Sequence, residues 1–424
     1  MEDGSTRDTE RILSRLRLAS VRQAARAPAL DDVEGAVAKA IAESGMLGRM
    51  RPGARVAVTA GSRGIADIAT VLRTVCDGVR RAGGQPFIFP AMGSHGGATA
   101  EGQVALLESL GVTEASVGAP VRATMEVVEL GRTEDGLPVY LDRYATEADA
   151  IIAVNRVKSH SDFSSTYESG LMKILAVGAG KRMGAEVIHS GGAGGLRNFI
   201  VPYARQVIAH APVIGGLALL ENERHSLAEV VGLPADEIEK HEAALLLRAK
   251  AMEPSLPFDE IDLLIIDRMG KEISGVGMDT NVIGRRAIRG EPDPERPKVA
   301  YVFVRTLTPA SHGNAIGVGL ADFTTMRLAE QIDWPVTRLN GLISGFLERA
   351  KLPLTLPNDR AALLAALTAL GAKAEAARVV RIRDTADLTE MAVSESVLGE
   401  ARARDLVECG PPQPMAFDSE GWMS

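Results

Sequence analysis

Cysteine is nearly missing from this chain of 424 residues: Cys76 and Cys409 are the only two. Two distant thiols without a CxxC pair exclude a thiolate zinc site and a disulfide-stapled scaffold. Aromatic residues are scarce at 4%, so the core has to be built from Ala, Val, Leu and Ile. Positive charge is not in excess: the net charge is −8 and no basic stripe stands out, which argues against nucleic acid as a partner. No apolar run approaches membrane-spanning length. The opening stretch "MEDGSTRDTERILSRLRLAS" lacks the apolar centre of a signal peptide. A soluble, cytoplasmic protein with no membrane partner is the expectation. Local signatures are missing too. There is no HExxH, and no GxGxxG follows the first strand of the βα series. "GSRG" and "GSHGG" lack a Walker lysine, and "VGAGKRMG" has no Ser or Thr after its lysine.

What the chain does have is glycine, at 43 residues, and a hydrophobic share of 46%. That composition suits an α/β enzyme of two or three domains. "RVAVTA" at 55–60 reads as a buried strand, and Ile65, Ile68, Leu72, Val75 and Val79 then recur at helical spacing. "PFIFP" is a second strand, and a loop and another helix follow. Such βαβα order predicts a parallel sheet. Further strands are expected at 150–154 and in "VIGGLALLEN", "IDLLIIDRMG", "KVAYVFVRTL" and "ARVVRIRDT", with a helix near 234–252. The Pro-punctuated "MEPSLPF" suggests a boundary near 255–270. The expected architecture is therefore two α/β domains with mainly parallel sheets and an active-site cleft between them. Residues 1–265 form the first and 266–399 the second, with the tail 400–424 packing back on the first.

Each strand of the first series empties into a polar loop. After the apolar run at 150–153 come Asn155, Arg156, Lys158, His160 and Asp162, at the end of a strand where open α/β sheets bind ligands. His95 lies in "GSHGG" and His189 in "EVIHSGGAGG". His210, His225 and His241 sit in ordinary helical or charged contexts. A single histidine is more often a hydrogen-bonded structural group than a catalyst. Three in glycine- and serine-rich loops make acid/base catalysis or metal binding as strong a reading. The glycines could offer N–H groups to a phosphate, with Arg63, Lys181 or Arg182 as counter-charges; tight turns with solvated charges fit equally. The residues alone reach an α/β enzyme with histidine chemistry, not a reaction.

In order and spacing, "AGSR" (60–63), "GSH" (93–95), "KSH" (158–160), "SGLMK" (169–173) and "IHSGG" (188–192) resemble the nickel-dependent lactate racemase family. His95 and His160 are 65 apart and Lys173 and His189 are 16 apart, close to the family's intervals. "GMDTNVIGRRAIRG" (277–290) resembles a later family stretch. The resemblance implies a racemase or epimerase of a 2-hydroxy acid. Its cofactor would be the nickel-pincer nucleotide, pyridinium-3,5-bisthiocarboxylic acid mononucleotide nickel, delivered by cofactor-biosynthesis enzymes. By the same resemblance Lys173 is the covalent attachment point and His189 the nickel ligand. Ser62, Arg63 and Lys181 hold the nucleotide, His95 and His160 exchange protons, and Arg286 and Arg289 face substrate. Departures are visible. Ala60 replaces the family's loop Asp and Ser159 a Pro, and Leu171 and Met172 add bulk beside Lys173. Arg286 and Arg289 stand where the family has glutamine and lysine, which suggests a larger or more anionic substrate than lactate. The other reading is a phosphate-, nucleotide- or metal-binding relative without racemase activity. Nothing in the chain forbids an oligomer.

Overall fold

The computed structural model describes residues 2–24 and 27–423. Two compact units result. One is the continuous stretch Arg26–Glu253; the other joins Met1–Ala25 to Pro254–Ser424. β1 (Arg17–Arg22) therefore belongs to the second unit.

The continuous unit contains β2 (Arg55–Ala60), β3 (Gln85–Pro90), β4 (Val127–Arg132), β5 (Pro138–Asp142), β6 (Ala150–Arg156), β7 (Val213–Glu221) and β8 (Leu227–Pro234). Its five-stranded sheet runs β3-β2-β6-β7-β8. The first four strands are mutually parallel, and β8 returns antiparallel to β7. The parallel strands are nearly continuous apolar runs because both faces are covered. Along β6, Ile151 and Ala153 enter the core shared with Leu171, Leu175 and Tyr203. Ala150, Ile152 and Val154 point the other way, against Val37, Val71, Leu72 and Val75. β4 and β5 form a separate hairpin.

Strand order decides where a ligand can go. From β2 the chain crosses to β3 on one side, and β6 then lies on the other. That places a topological switch between β2 and β6, where the two crossovers diverge, and the carboxyl ends of strands at such a point are where open α/β sheets bind ligands.

The second unit adds β9 (Glu260–Met269), β10 (Lys298–Leu307), β11 (Phe323–Thr325), β12 (Leu354–Leu356), β13 (Val379–Ile382) and β14 (Glu390–Ser394). β12-β11-β10-β9-β13 are parallel; β14 and β1 close that side antiparallel. The mainly parallel α/β class expected from the sequence is what the sheets show. The segment assignment differs at both ends. The expected first domain, 1–265, included β1 and received the tail 400–424. Instead β1 pairs with β14, and Val407–Glu408 and Gln413–Pro414 pair with β1, so both ends complete the second sheet. Long-range antiparallel pairing carries no local signal in either partner.

Candidate functional site

The carboxyl ends of β2, β3, β6 and β7 carry the polar loops. After β2 come Gly61, Ser62 and Arg63; after β3, His95. The Ser62 hydroxyl is hydrogen-bonded to His95 Nδ1, which joins the two loops. β7 ends in Glu221, a buried carboxylate that pairs with Arg156 of β6 and accepts the Ala66 amide at 2.8 Å. The loop after β2 is thereby tied across the switch point to β7.

His160 is held by its backbone and its ring. Its amide donates to Glu168 Oε2 at 2.6 Å, and the other oxygen of Glu168 takes the Lys250 ammonium at 2.6 Å. Next to it, the amide and hydroxyl of Ser159 both reach Glu253. The ring packs against Phe163 at 4.7 Å between centroids, and its Nδ1 accepts the amide of Asp162 at 3.1 Å. A ring nitrogen that accepts carries no proton, so the neutral imidazole bears its hydrogen on Nε2. Burial pushes the His160 pKa well below the usual range, and the positive field of Lys173 adds to this; Asp162 opposes it. The ring is neutral at physiological pH.

Lys173 closes the three-residue helical turn Leu171–Lys173 and opens a π-helical turn, Ile174–Gly178. The Ala179 amide reaches back five residues to the Ile174 carbonyl at 2.8 Å. Such turns are rare and concentrate at functional sites. Burial lowers the Lys173 ammonium to about 8, with Arg63 and Lys158 adding to the effect and Asp162 opposing it. At neutral pH Lys173 is therefore a free amine far more often than an ordinary lysine. His189 ends the helix Lys181–His189, where partial desolvation by the groups packed around it and then the field of Lys173 lower its pKa. The pKa of Arg63 is also lowered, by burial first and then by Arg156. Lys173, His160, His189, Arg63 and Asp162 thus share one electrostatic neighbourhood. His95 joins it through Ser62.

Three expected residues are placed otherwise. Lys181 is not a counter-charge for a ligand. It is 0% exposed, with Nζ 3.1 Å from Asp142 Oδ2 and 2.9 Å from Gln103 Oε1. The amide of Gln103 donates to the Gly93 carbonyl at 3.0 Å and the His95 carbonyl at 3.3 Å, so Lys181 braces the His95 loop from behind. Arg286 is 2% exposed, and its guanidinium donates to Pro292 O at 2.9 Å and Asn281 Oδ1 at 3.1 Å. It stiffens its own loop instead of presenting charge to a substrate. Arg289 is exposed and paired with Glu348 at 3.0 Å. Of the ordinary histidines, His210 and His241 bond within their own helices.

Glu242 is a site residue that the sequence hid. It looks like one acidic position among several on a helix, Ile238–Met252. It is 1% exposed and accepts the Met172 amide at 3.0 Å, capping the turn that carries Lys173. Gly170 lets it approach: a Cβ there would lie 2.5 Å from the carboxylate. Burial raises its pKa to about 7. A carboxyl raised from 4.5 costs stability once ionised, so this contribution falls as pH rises from about 4.5 through 7, by at most about 3 kcal/mol. Glu242→Gln is expected to remove that part of the pH dependence. Urea denaturation of both proteins at pH 5 and pH 8 checks it; an unchanged difference between the two pH values would sink the assignment.

No group of three or more His, Cys, Asp or Glu side chains is arranged to hold a metal ion among the described residues. Among the described residues no helix is long and apolar enough to cross a membrane.

The site's loops lie within a stretch that matches a known family. Residues 8–190 match the family model described as the lactate racemase N-terminal domain. The structure of the lactate racemase apoprotein from Thermoanaerobacterium thermosaccharolyticum is similar at a TM-score of 0.46 and 12% identity, over 88% of this chain and 84% of that one. No curated protein matches the chain.

Proposed function

We propose that this chain, which over residues 8–190 matches the lactate racemase N-terminal domain, is a racemase or epimerase of a 2-hydroxy acid that works with a nickel-pincer nucleotide. The observation that carries the reading is Lys173. It is an amine lowered to about 8 at the head of a π-turn, with His160 and His189 in its field. Lys173 would hold the nucleotide covalently, His189 would coordinate the nickel, and Arg63 would face the phosphate. Imidazole is a natural nickel ligand, and an amine that is free part of the time is what would condense with a thiocarboxylic acid arm, forming the C–N bond of a thioamide as water leaves.

When bound, the group supplies a carbon that takes a hydride from the substrate and gives it back. This chain's residues manage the proton. His95 and His160 lie in separate strand-end loops and would serve the hydroxyl oxygen of opposite enantiomers. Ser62 orients the His95 ring, and the Asp162 amide orients the His160 ring. To take a proton at Nε2, His160 must first exchange tautomers and release that amide, so it starts as a hydrogen-bond donor to a carbonyl oxygen. A neutral ring also leaves the substrate carboxylate's charge available to the arginines and lysines nearby.

The test is co-expression with cofactor-making enzymes, then chiral chromatography of a panel of 2-hydroxy acids together with nickel analysis. The expected result is interconversion of the two hands of at least one acid, dependent on co-expression. Nickel-loaded protein that racemises none of the panel would favour the binding-protein reading instead.

A further inference from the structure

The second unit has an outward face that its own charge pattern does not explain. Twelve large hydrophobic side chains are exposed among the described residues, and seven of them fall between residues 336 and 354. Helix Trp334–Ser344 buries Thr337 and Gly341 inward. Outward it presents Val336, Leu339 and Ile343, with Leu342 beside them at 67% exposure and Ile343 at 78%. A helix on a monomer's surface normally turns a polar face to water. Positions 336, 339 and 343 follow the i, i+3, i+7 spacing by which one helix seats against another. Leu347 extends the patch into the turn Leu347–Ala350, which packs on the helix.

Three observations select the occupant. The first is area. The exposed fractions of Val336, Leu339, Leu342, Ile343 and Leu347 amount to roughly 500 Å², over half of the ~800 Å² per partner that a standard stable interface buries. The second is the sheet edge. β12, the outermost strand, has three residues and is bracketed by Pro353 and Pro357, so it offers almost no backbone to an added strand. A partner has to meet side chains. The third is charge. Glu348 beside the patch is already paired with Arg289, and Arg338 on the helix lies over the Trp334 ring at 5.3 Å. With Glu348 already paired and Arg338 folded back over its own Trp334, the stripe offers an oppositely charged partner little by which to select it. Across a two-fold axis it complements itself.

We propose that this face is a homodimer interface in which helix Trp334–Ser344 packs against the same helix of a second copy. The proposal is independent of the reaction assigned above. Burial of Leu339 and Ile343 on both sides excludes water from the centre, while Arg289, Glu348 and Lys351 form the rim.

Sedimentation velocity of the full chain at micromolar concentration tests it. The expected mass is twice 44.8 kDa. The double variant Leu342→Glu, Ile343→Glu places carboxylates in the apolar centre, and the dimer dissociation constant is expected to rise at least about a hundredfold. Its circular dichroism and thermal midpoint in dilute solution should match those of wild-type monomer, because both side chains are already exposed. Leu247→Glu, at another exposed apolar position, should leave the dimer intact. As a second measurement, Leu339→Cys in a Cys409→Ser background should oxidise to a cross-linked dimer. A wild-type chain that sediments as a monomer, alone or with some other protein bound, overturns the proposal. So does a double variant that remains fully dimeric.

Discussion

Replacing either His95 or His160 by alanine is expected to abolish net racemisation, not halve it. In the proposed mechanism, every conversion of one hand into the other would use one ring to remove the hydroxyl proton and the other to return it. Losing a positioned acid/base group typically costs ~10²–10⁴-fold. Both rings are held in place, although His160 must first release the Asp162 amide to act as a base. Ser62 holds His95, while Asp162, Phe163 and the Glu168 anchor on its amide hold His160. The single variants should also differ from one another. Each retains one intact ring, so each should produce up to one equivalent of keto acid per loaded enzyme from one enantiomer and little from the other, with opposite preferences. Mixing each loaded variant with each pure enantiomer and trapping the keto acid measures this directly. Identical responses to the two hands, or near-normal racemisation by either variant, would rule out the two-base arrangement. Ser62→Ala, which leaves the His95 ring in place but unoriented, should have a smaller effect, mainly on kcat.

Lys173→Ala is expected to eliminate covalent loading altogether. Covalent attachment needs an amine that is free part of the time, and the burial that lowers Lys173 to about 8 provides it. Lys173→Arg keeps a cation in place but should fail equally, because a guanidinium stays protonated. His189→Ala is expected to separate the two functions: the covalent mass remains and the nickel is lost. Intact-protein mass spectrometry beside elemental analysis reads both. Stoichiometric nickel and an unchanged adduct mass in Lys173→Ala would end the covalent reading. Without any cofactor pathway, acylation of Lys173 by a small active ester should already rise through pH about 8, well below the range of an ordinary lysine. The sign follows from the direction of the shift, since the reactive form is the deprotonated one.

The parts of this protein legible in its sequence were those written in short-range pattern. β2, β3, β6 and β7 are apolar runs closed by glycine and polar loops, and a parallel strand covered on both faces needs no distant partner to be recognised. The placement of His95 and His160 in loops just beyond strand ends followed from the same pattern, while Lys173 was singled out by the family resemblance, most of whose short motifs lie in the matched residues 8–190. The charged side chains behaved differently. Lys181, Arg286 and Arg289 read as groups free to meet a ligand. Their partners are Asp142, 39 positions earlier, the Asn281 and Pro292 flank of their own loop, and Glu348. Whether a charge is spent internally depends on a partner that no local pattern names.

The sequence by itself determined the α/β class and the polar, histidine-bearing loops beyond the strands; the 2-hydroxy acid reading came from a family resemblance and stays a proposal. Periodicity and loop composition are local properties of the chain. Only the tertiary structure decided that β1 and the tail complete the second sheet, that a π-turn follows Lys173, and that Glu242 caps the turn carrying it. It also decided that Lys181 braces the His95 loop. Each of these depends on which distant segments pack together and over a group, a property no short stretch of residues possesses.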